Sequence, residues 1–181
     1  MSPRNDLLLL SGKILTLLMQ IFMAIGAAAL VVTLPFVTLF SGDLAKGLAD
    51  ASEIPIQDIP TLPLAGVLLI GLAIVSALFL FFGRLRAIIN TVSEGDPFAP
   101  ANSERLSQMA WLLVAVQMLV LPAIPLAIQL AEFAKQFGED ANIEVNSGFD
   151  LSGILMIIIL FILARVFRHG AAMREDLEGT V

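Results

Sequence analysis

The sequence predicts an all-α membrane protein with four transmembrane helices and both termini in the cytoplasm. Three observations carry that expectation. The 181 residues are 58% hydrophobic and only 14% charged, with a mean hydropathy of +0.93. That is more apolar surface than a soluble core of this length buries. Four long apolar runs account for most of it, giving one membrane domain over residues 1–181 with spans near 14–40, 64–82, 109–131 and 151–167. Finally, eight of the ten Lys and Arg residues fall on alternate sides of these runs: Arg4 and Lys13, then Arg84, Arg86 and Arg105, then Arg165, Arg168 and Arg174. Short cytoplasmic loops retain Lys and Arg, so the termini and the central loop are assigned to the inside. The sixteen acids give a net charge of −6 and lie on both sides. They say little about orientation and argue against nucleic acid as a direct partner.

The first run, residues 14–40, has 27 residues and is interrupted only by Gln20 and small or hydroxylated side chains. A span needs about 20 residues at about 1.5 Å each, so this helix either tilts or ends near Pro35. A cleavable signal peptide ending at Ala27–Ala29 is disfavoured, because the apolar run continues past the alanines. Ahead of it, Asn5 or Asp6 caps a separate helical turn over residues 7–10 at the inner interface.

The second run has 19 uncharged residues and is followed directly by Arg84 and Arg86. Leu85, Ile88, Ile89 and Val92 recur at helical spacing, so the helix runs on to about Ser93. Gly95 and Pro97 then make a turn, and Asn102 is the expected N-cap of the next helix. The result is a cytoplasmic helical hairpin over residues 83–108 with Phe98 at its tip. Phe98 tucks into the protein, dips into the membrane or meets a partner.

The third run has 23 residues and includes Pro122 and Pro125, which are expected to kink or break the helix. Trp111 suits the headgroup belt. The fourth has only 14 uncharged residues, 151–164, or about 21 Å of helix against a core of about 30 Å. Arg165 is therefore held at the inner interface, and the helix continues into a cytoplasmic tail, residues 168–181. The two outer loops, 41–63 and 132–150, contain alternating segments at 54–59 and 142–146. Either these pair as short strands or the loops stay independent and proline-stiffened.

The segments 82–98 with Asn102, and 167–181, resemble the bacterial membrane proteins grouped as domain of unknown function 2975. Gly95, Pro97, Phe98 and Asn102 match that family's G-x-P-F turn followed by Asn. Arg174, Glu175, Asp176, Thr180 and Val181 match its acidic tail, although Gly179 departs from it. The resemblance implies four membrane helices in a bacterial inner membrane and a neighbouring cytosolic helix-turn-helix regulator, hence a membrane component of a regulatory pair.

No signature of chemistry accompanies this frame. The chain has no Cys and a single His, His169, which excludes thiolate metal sites and a cysteine nucleophile. The glycines form no phosphate loop, and the outer acids Asp43, Asp50, Glu53, Asp58, Glu139, Asp140 and Glu144 lack calcium-loop spacing. No cofactor is expected. Inside the spans the polar side chains are Gln20, Gln117 and Gln129, with no acid or base, which speaks against proton-coupled transport; Gln20 and Gln117 are expected to bond across helices. The expectation is a non-enzymatic regulatory or interaction protein. Its candidate partner or lipid contacts are Arg84, Arg86, Gly95, Pro97, Phe98, Asn102, Arg165, Arg168, Arg174, Glu175 and Asp176. The alternative is an oligomeric small-solute transporter or channel with a pore between subunits.

Overall fold

The structure is a computed structural model that describes residues 3–52, 59–137 and 150–178. Among these residues there are five α-helices and no strand: α1 (Pro3–Leu39), α2 (Ser41–Ser52), α3 (Thr61–Ser93), α4 (Pro100–Ala134) and α5 (Leu151–Glu178), with a short 3-10 turn, Lys135–Phe137, after α4. All except α2 are long and apolar enough to cross a membrane, the mark of a multi-pass membrane protein. Their outward faces agree. Leu8, Phe22 and Val32 of α1 and Leu62 of α3 are each at least 67% exposed, a pattern that suits a hydrocarbon solvent. Of the alternating segments at 54–59 and 142–146, considered for strand pairing, all but Ile59 lies outside the described residues.

Two local expectations are corrected and two open alternatives are narrowed. α1 begins at Pro3 and runs unbroken to Leu39, so residues 7–10 are its first turns and not a separate interfacial turn. Pro35 does not end it, and Phe40 N–H still donates to Phe36 O at 3.0 Å. The stretch 41–52, read as loop, is the helix α2; it contains no proline, and Leu44, Ala45, Leu48 and Ala49 recur at helical spacing on one packed face. α4 continues through Pro122 and Pro125 without a break. A proline removes one N–H donor and crowds one carbonyl, a local loss that the rest of a 35-residue hydrogen-bonded helix absorbs.

The chain folds as two compact units. The first comprises Met1–Ala24, Ser76–Gln117 and Asp150–Val181. Its core is Leu106, Met109 and Ala110 of α4 against Leu160 and Ala164 of α5, with Phe81, Leu85 and Ile88 of α3 packed on it. Ala110 and Ala164 are 0% and 3% exposed. Small residues at this contact let the helix backbones approach closely, which is how helices adhere where water supplies no driving force between them. α1 lies along α3, where a Cβ at Gly12 would sit 3.3 Å from Ile89 Cδ1 and one at Gly83 would sit 3.0 Å from Gln20 Nε2.

The second unit comprises Ile25–Val75 and Met118–Phe149. Ala45 of α2 and Ile59 are its buried centre, packed by Leu44, Leu48, Leu64 and Phe133. Here too a glycine sets an approach: a Cβ at Gly66 of α3 would lie 2.7 Å from Leu126 Cδ1 of α4.

Enlarging the closed contact in the first unit is expected to be costly. Ala110→Leu should destabilise the protein by about 1–3 kcal/mol, the usual range for overpacking a filled core, whereas Ala28→Leu on the exposed face of α1 should stay within about 0.5 kcal/mol. Unfolding titrations with SDS in mixed micelles, followed by circular dichroism, compare the two.

Candidate functional site

Five of the residues singled out in the sequence, Gly95, Pro97, Phe98, Asn102 and Arg174, meet at the α3–α4 turn and its contact with α5, within the first unit. The turn is built by backbone chemistry first. Gly95 has φ = +87°, a conformation open to glycine and strained for most other residues. With it in place, Gly95 N–H donates to Val92 O at 3.1 Å and Asp96 N–H to Thr91 O at 3.0 Å, the paired bonds that close a helix C-terminus in a Schellman motif. Pro97 follows, and Pro100 opens α4 at its first position, where a missing N–H costs nothing.

Asn102 holds this turn shut. It is 0% exposed and is not the N-cap expected from its position. Its Nδ2 donates to Thr91 Oγ1 at 2.8 Å and to Pro97 O at 3.0 Å, and its Oδ1 accepts from Arg105 Nη1 at 2.8 Å. Arg105 reaches on to Ala87 O at 3.3 Å. One amide therefore ties the end of α3, the turn and the start of α4 together. Arg105 and Thr91, which lie outside the candidates read from the sequence, complete this network. Arg105 had been counted as a topology charge, although its place three residues after Asn102 puts the two side chains on one helix face.

The turn is gripped from two sides. From α1, Lys13 Nζ donates to Ser93 Oγ at 2.7 Å. From α5, Phe98 packs against Phe167 with ring centroids 5.5 Å apart, and a Cβ at Gly170 would lie 2.7 Å from Phe98 Cδ1. Gly170 is therefore small because the Phe98 ring occupies the space a side chain would need. Of the three fates open to Phe98, it takes the first and tucks onto the tail helix, while remaining 41% exposed. Next to it, Asp96 and Arg174 form an ion pair with side chains 42% and 50% exposed. At that exposure the pair is worth about 0.2–1 kcal/mol.

The remaining candidates are distributed around this joint. Arg165 and Arg168 line a groove on α5 together with Phe98. Arg84 is exposed and Arg86 half-buried on α3, and neither enters the joint. Glu175 and Asp176 are exposed on the last turns of α5. Gly179, Thr180 and Val181 lie outside the described residues.

A second polar contact arises where none was expected. Asp150, placed in an outer loop by sequence, caps the N-terminus of α5: Gly153 N–H donates to its Oδ1 at 3.0 Å. Gln117 Nε2 donates to both the carbonyl and Oδ2 of Asp150 at 3.3 Å. A Cβ at Gly153 would overlap both groups. Gln117 stands at the midpoint of α4, whose bounds are Pro100 and Ala134. The expected cross-helix bond of Gln117 is thus directed at a helix cap, and it brings an acid to the middle of an apolar helix.

Residues 38–181 match the family model described as Protein of unknown function (DUF2975), a stretch that includes every side chain of the joint except Lys13. The chain belongs to that family. No curated protein and no solved structure is similar to it.

Because the chain has no cysteine, the joint can be trapped directly. The double variant Asp96→Cys/Arg174→Cys should be joined intramolecularly by a short bis-maleimide, whose reach replaces the lost length of the Arg174 side chain. Adding Gly170→Leu, which displaces the Phe98 ring, should cut the yield severalfold, read as a mobility shift in denaturing gels.

Proposed function

We propose that this DUF2975 protein is a non-enzymatic regulatory component of the bacterial cytoplasmic membrane, with both termini inside, that presents the α3–α4 turn and the helical tail of α5 to a cytosolic partner. A helix-turn-helix transcriptional regulator is the partner class suggested by the family resemblance. The observation that supports this reading most is the joint itself. Asp96 and Phe98 are held on α5 by one partly exposed ion pair and one partly exposed ring. Neither contact is strong enough to resist a partner that offers an alternative for the same groups. Beneath them, the buried Asn102 amide ties α3, the turn and α4 together by three hydrogen bonds. A hydrogen-bonded base with an exchangeable upper contact suits a surface that is covered and uncovered, and the charge alternation supports an inside location for it.

A second reading, an oligomeric transporter or channel for small solutes, is favoured by one feature: the Asp150 carboxylate against Gln117 at the midpoint of α4. An ionisable residue at that depth marks ion and proton pathways in other membrane proteins.

Two experiments separate these readings. In intact cells, a membrane-impermeant maleimide should label Gly47→Cys and not Glu94→Cys; labelling at position 94 reverses the orientation. A photo-crosslinker at Phe98 or Glu178 should capture a cytosolic protein when the neighbouring genes are expressed. If only lipid and copies of the same chain are captured, while Asp150→Asn abolishes a solute flux into proteoliposomes, the transport reading replaces the regulatory one.

A further inference from the structure

The groove beside the joint has a chemistry of its own. On α5, Ile162, Arg165, Val166 and Met173 fall at spacings of three, four and seven residues, which places them on one helix face. Together with Phe98 they line a groove of ≈ 960 Å³. Arg165 is the first charge after fourteen uncharged residues of α5, so it stands at the level where a span meets lipid headgroups. One turn to the apolar side lies Ile162, and one turn to the polar side lies Arg168. Both arginines are exposed. Among the described residues neither Arg165 nor Arg168 forms an ion pair with a carboxylate.

We propose that this groove binds an anionic phospholipid, with the phosphate on Arg165 and Arg168 and an acyl chain running past Val166 and Ile162 toward the apolar end of α5. The arginines also line a smaller groove on their other side, of ≈ 390 Å³, with Ser107, Phe161 and Ala164. A phosphate seated on the ridge between the two grooves therefore has a place for each of its chains. A free phosphate fits less well. In the interior of α5 the backbone N–H groups are spent on the helix, so the only donors are exposed side chains, and the apolar walls contribute nothing to an ion without a chain. The inference holds whether or not a cytosolic partner exists, because it rests on the groove and not on the joint's exchangeable contact.

The test uses the full chain purified in detergent, with bound lipid counted by native mass spectrometry during titration with phosphatidylglycerol or phosphatidylcholine. Phosphatidylglycerol should bind in preference to phosphatidylcholine. Arg165→Gln/Arg168→Gln should weaken phosphatidylglycerol binding about thirtyfold, the effect of two cations at a headgroup. Arg84→Gln/Arg86→Gln, which removes the same charge outside the groove, should change it less than threefold. Glycerol 1-phosphate in large excess should fail to displace the lipid. Equal losses in the two double variants would overturn the site in favour of diffuse surface charge. Displacement by glycerol 1-phosphate would overturn it in favour of a headgroup-only anion site.

Discussion

Every feature of the joint depends on the buried side-chain amide of Asn102. A turn between two long helices leaves backbone carbonyls without helical partners, and burying one unsatisfied costs about 1–3 kcal/mol. Asn102 Nδ2 satisfies the carbonyl of Pro97 and simultaneously fixes Thr91 on the preceding helix, while its Oδ1 anchors Arg105. An apolar replacement would remove the donor to the Pro97 carbonyl and untie Thr91 and Arg105 from the turn, leaving them bonded to Ile88 O and Ala87 O on α3. With Asn102 in place, the positions of Asp96 and Phe98 relative to α5 follow from the covalent chain between Gly95 and Pro100.

Lipid as solvent explains the character of the packing. Water does not drive these helices together, since hydrocarbon chains solvate their Leu and Ile side chains as well as neighbouring helices do. What holds them is shape: Ala110 and Ala164 at the centre of the first unit, Gly12 beneath Ile89, Gly170 beneath Phe98, and Gly66 beneath Leu126 in the second unit. Polar contacts then select one arrangement from many of similar apolar contact. The two networks found, at Asn102 and at Gln117 with Asp150, are each built on a residue whose side chain bonds outside its own helix.

Local signals were legible in the sequence, and non-local ones were not. The end of α3 at Ser93 followed from the spacing of Leu85, Ile88, Ile89 and Val92, and Gly95 announced the turn because few other residues accept its φ. Asn102 was visible as important, but the local preference for Asn at helix caps gave it the wrong role. Its partners Thr91 and Pro97 precede it across the turn, and no helical periodicity connects them. α2 was overlooked because the prolines from Pro55 onward coloured the whole loop, although 41–52 contains none. Asp150 was assigned by sequence distance from the apolar runs. Its contact with Gln117, 33 residues away, depends on where α5 starts against α4, which composition does not encode. Gly170 and Gly153 carried no signal at all, since the group that needs each space comes from another part of the chain.

The central claim is that an amide-locked turn holds the α5 tail in one position. Spin labels at Glu94→Cys and Glu175→Cys, both exposed positions in a chain without native cysteine, report the distance between turn and tail in lipid nanodiscs. The account predicts one narrow distance distribution that broadens when Asn102→Ala is added. A distribution already broad with Asn102 present, or one that stays narrow without it, would contradict the claim.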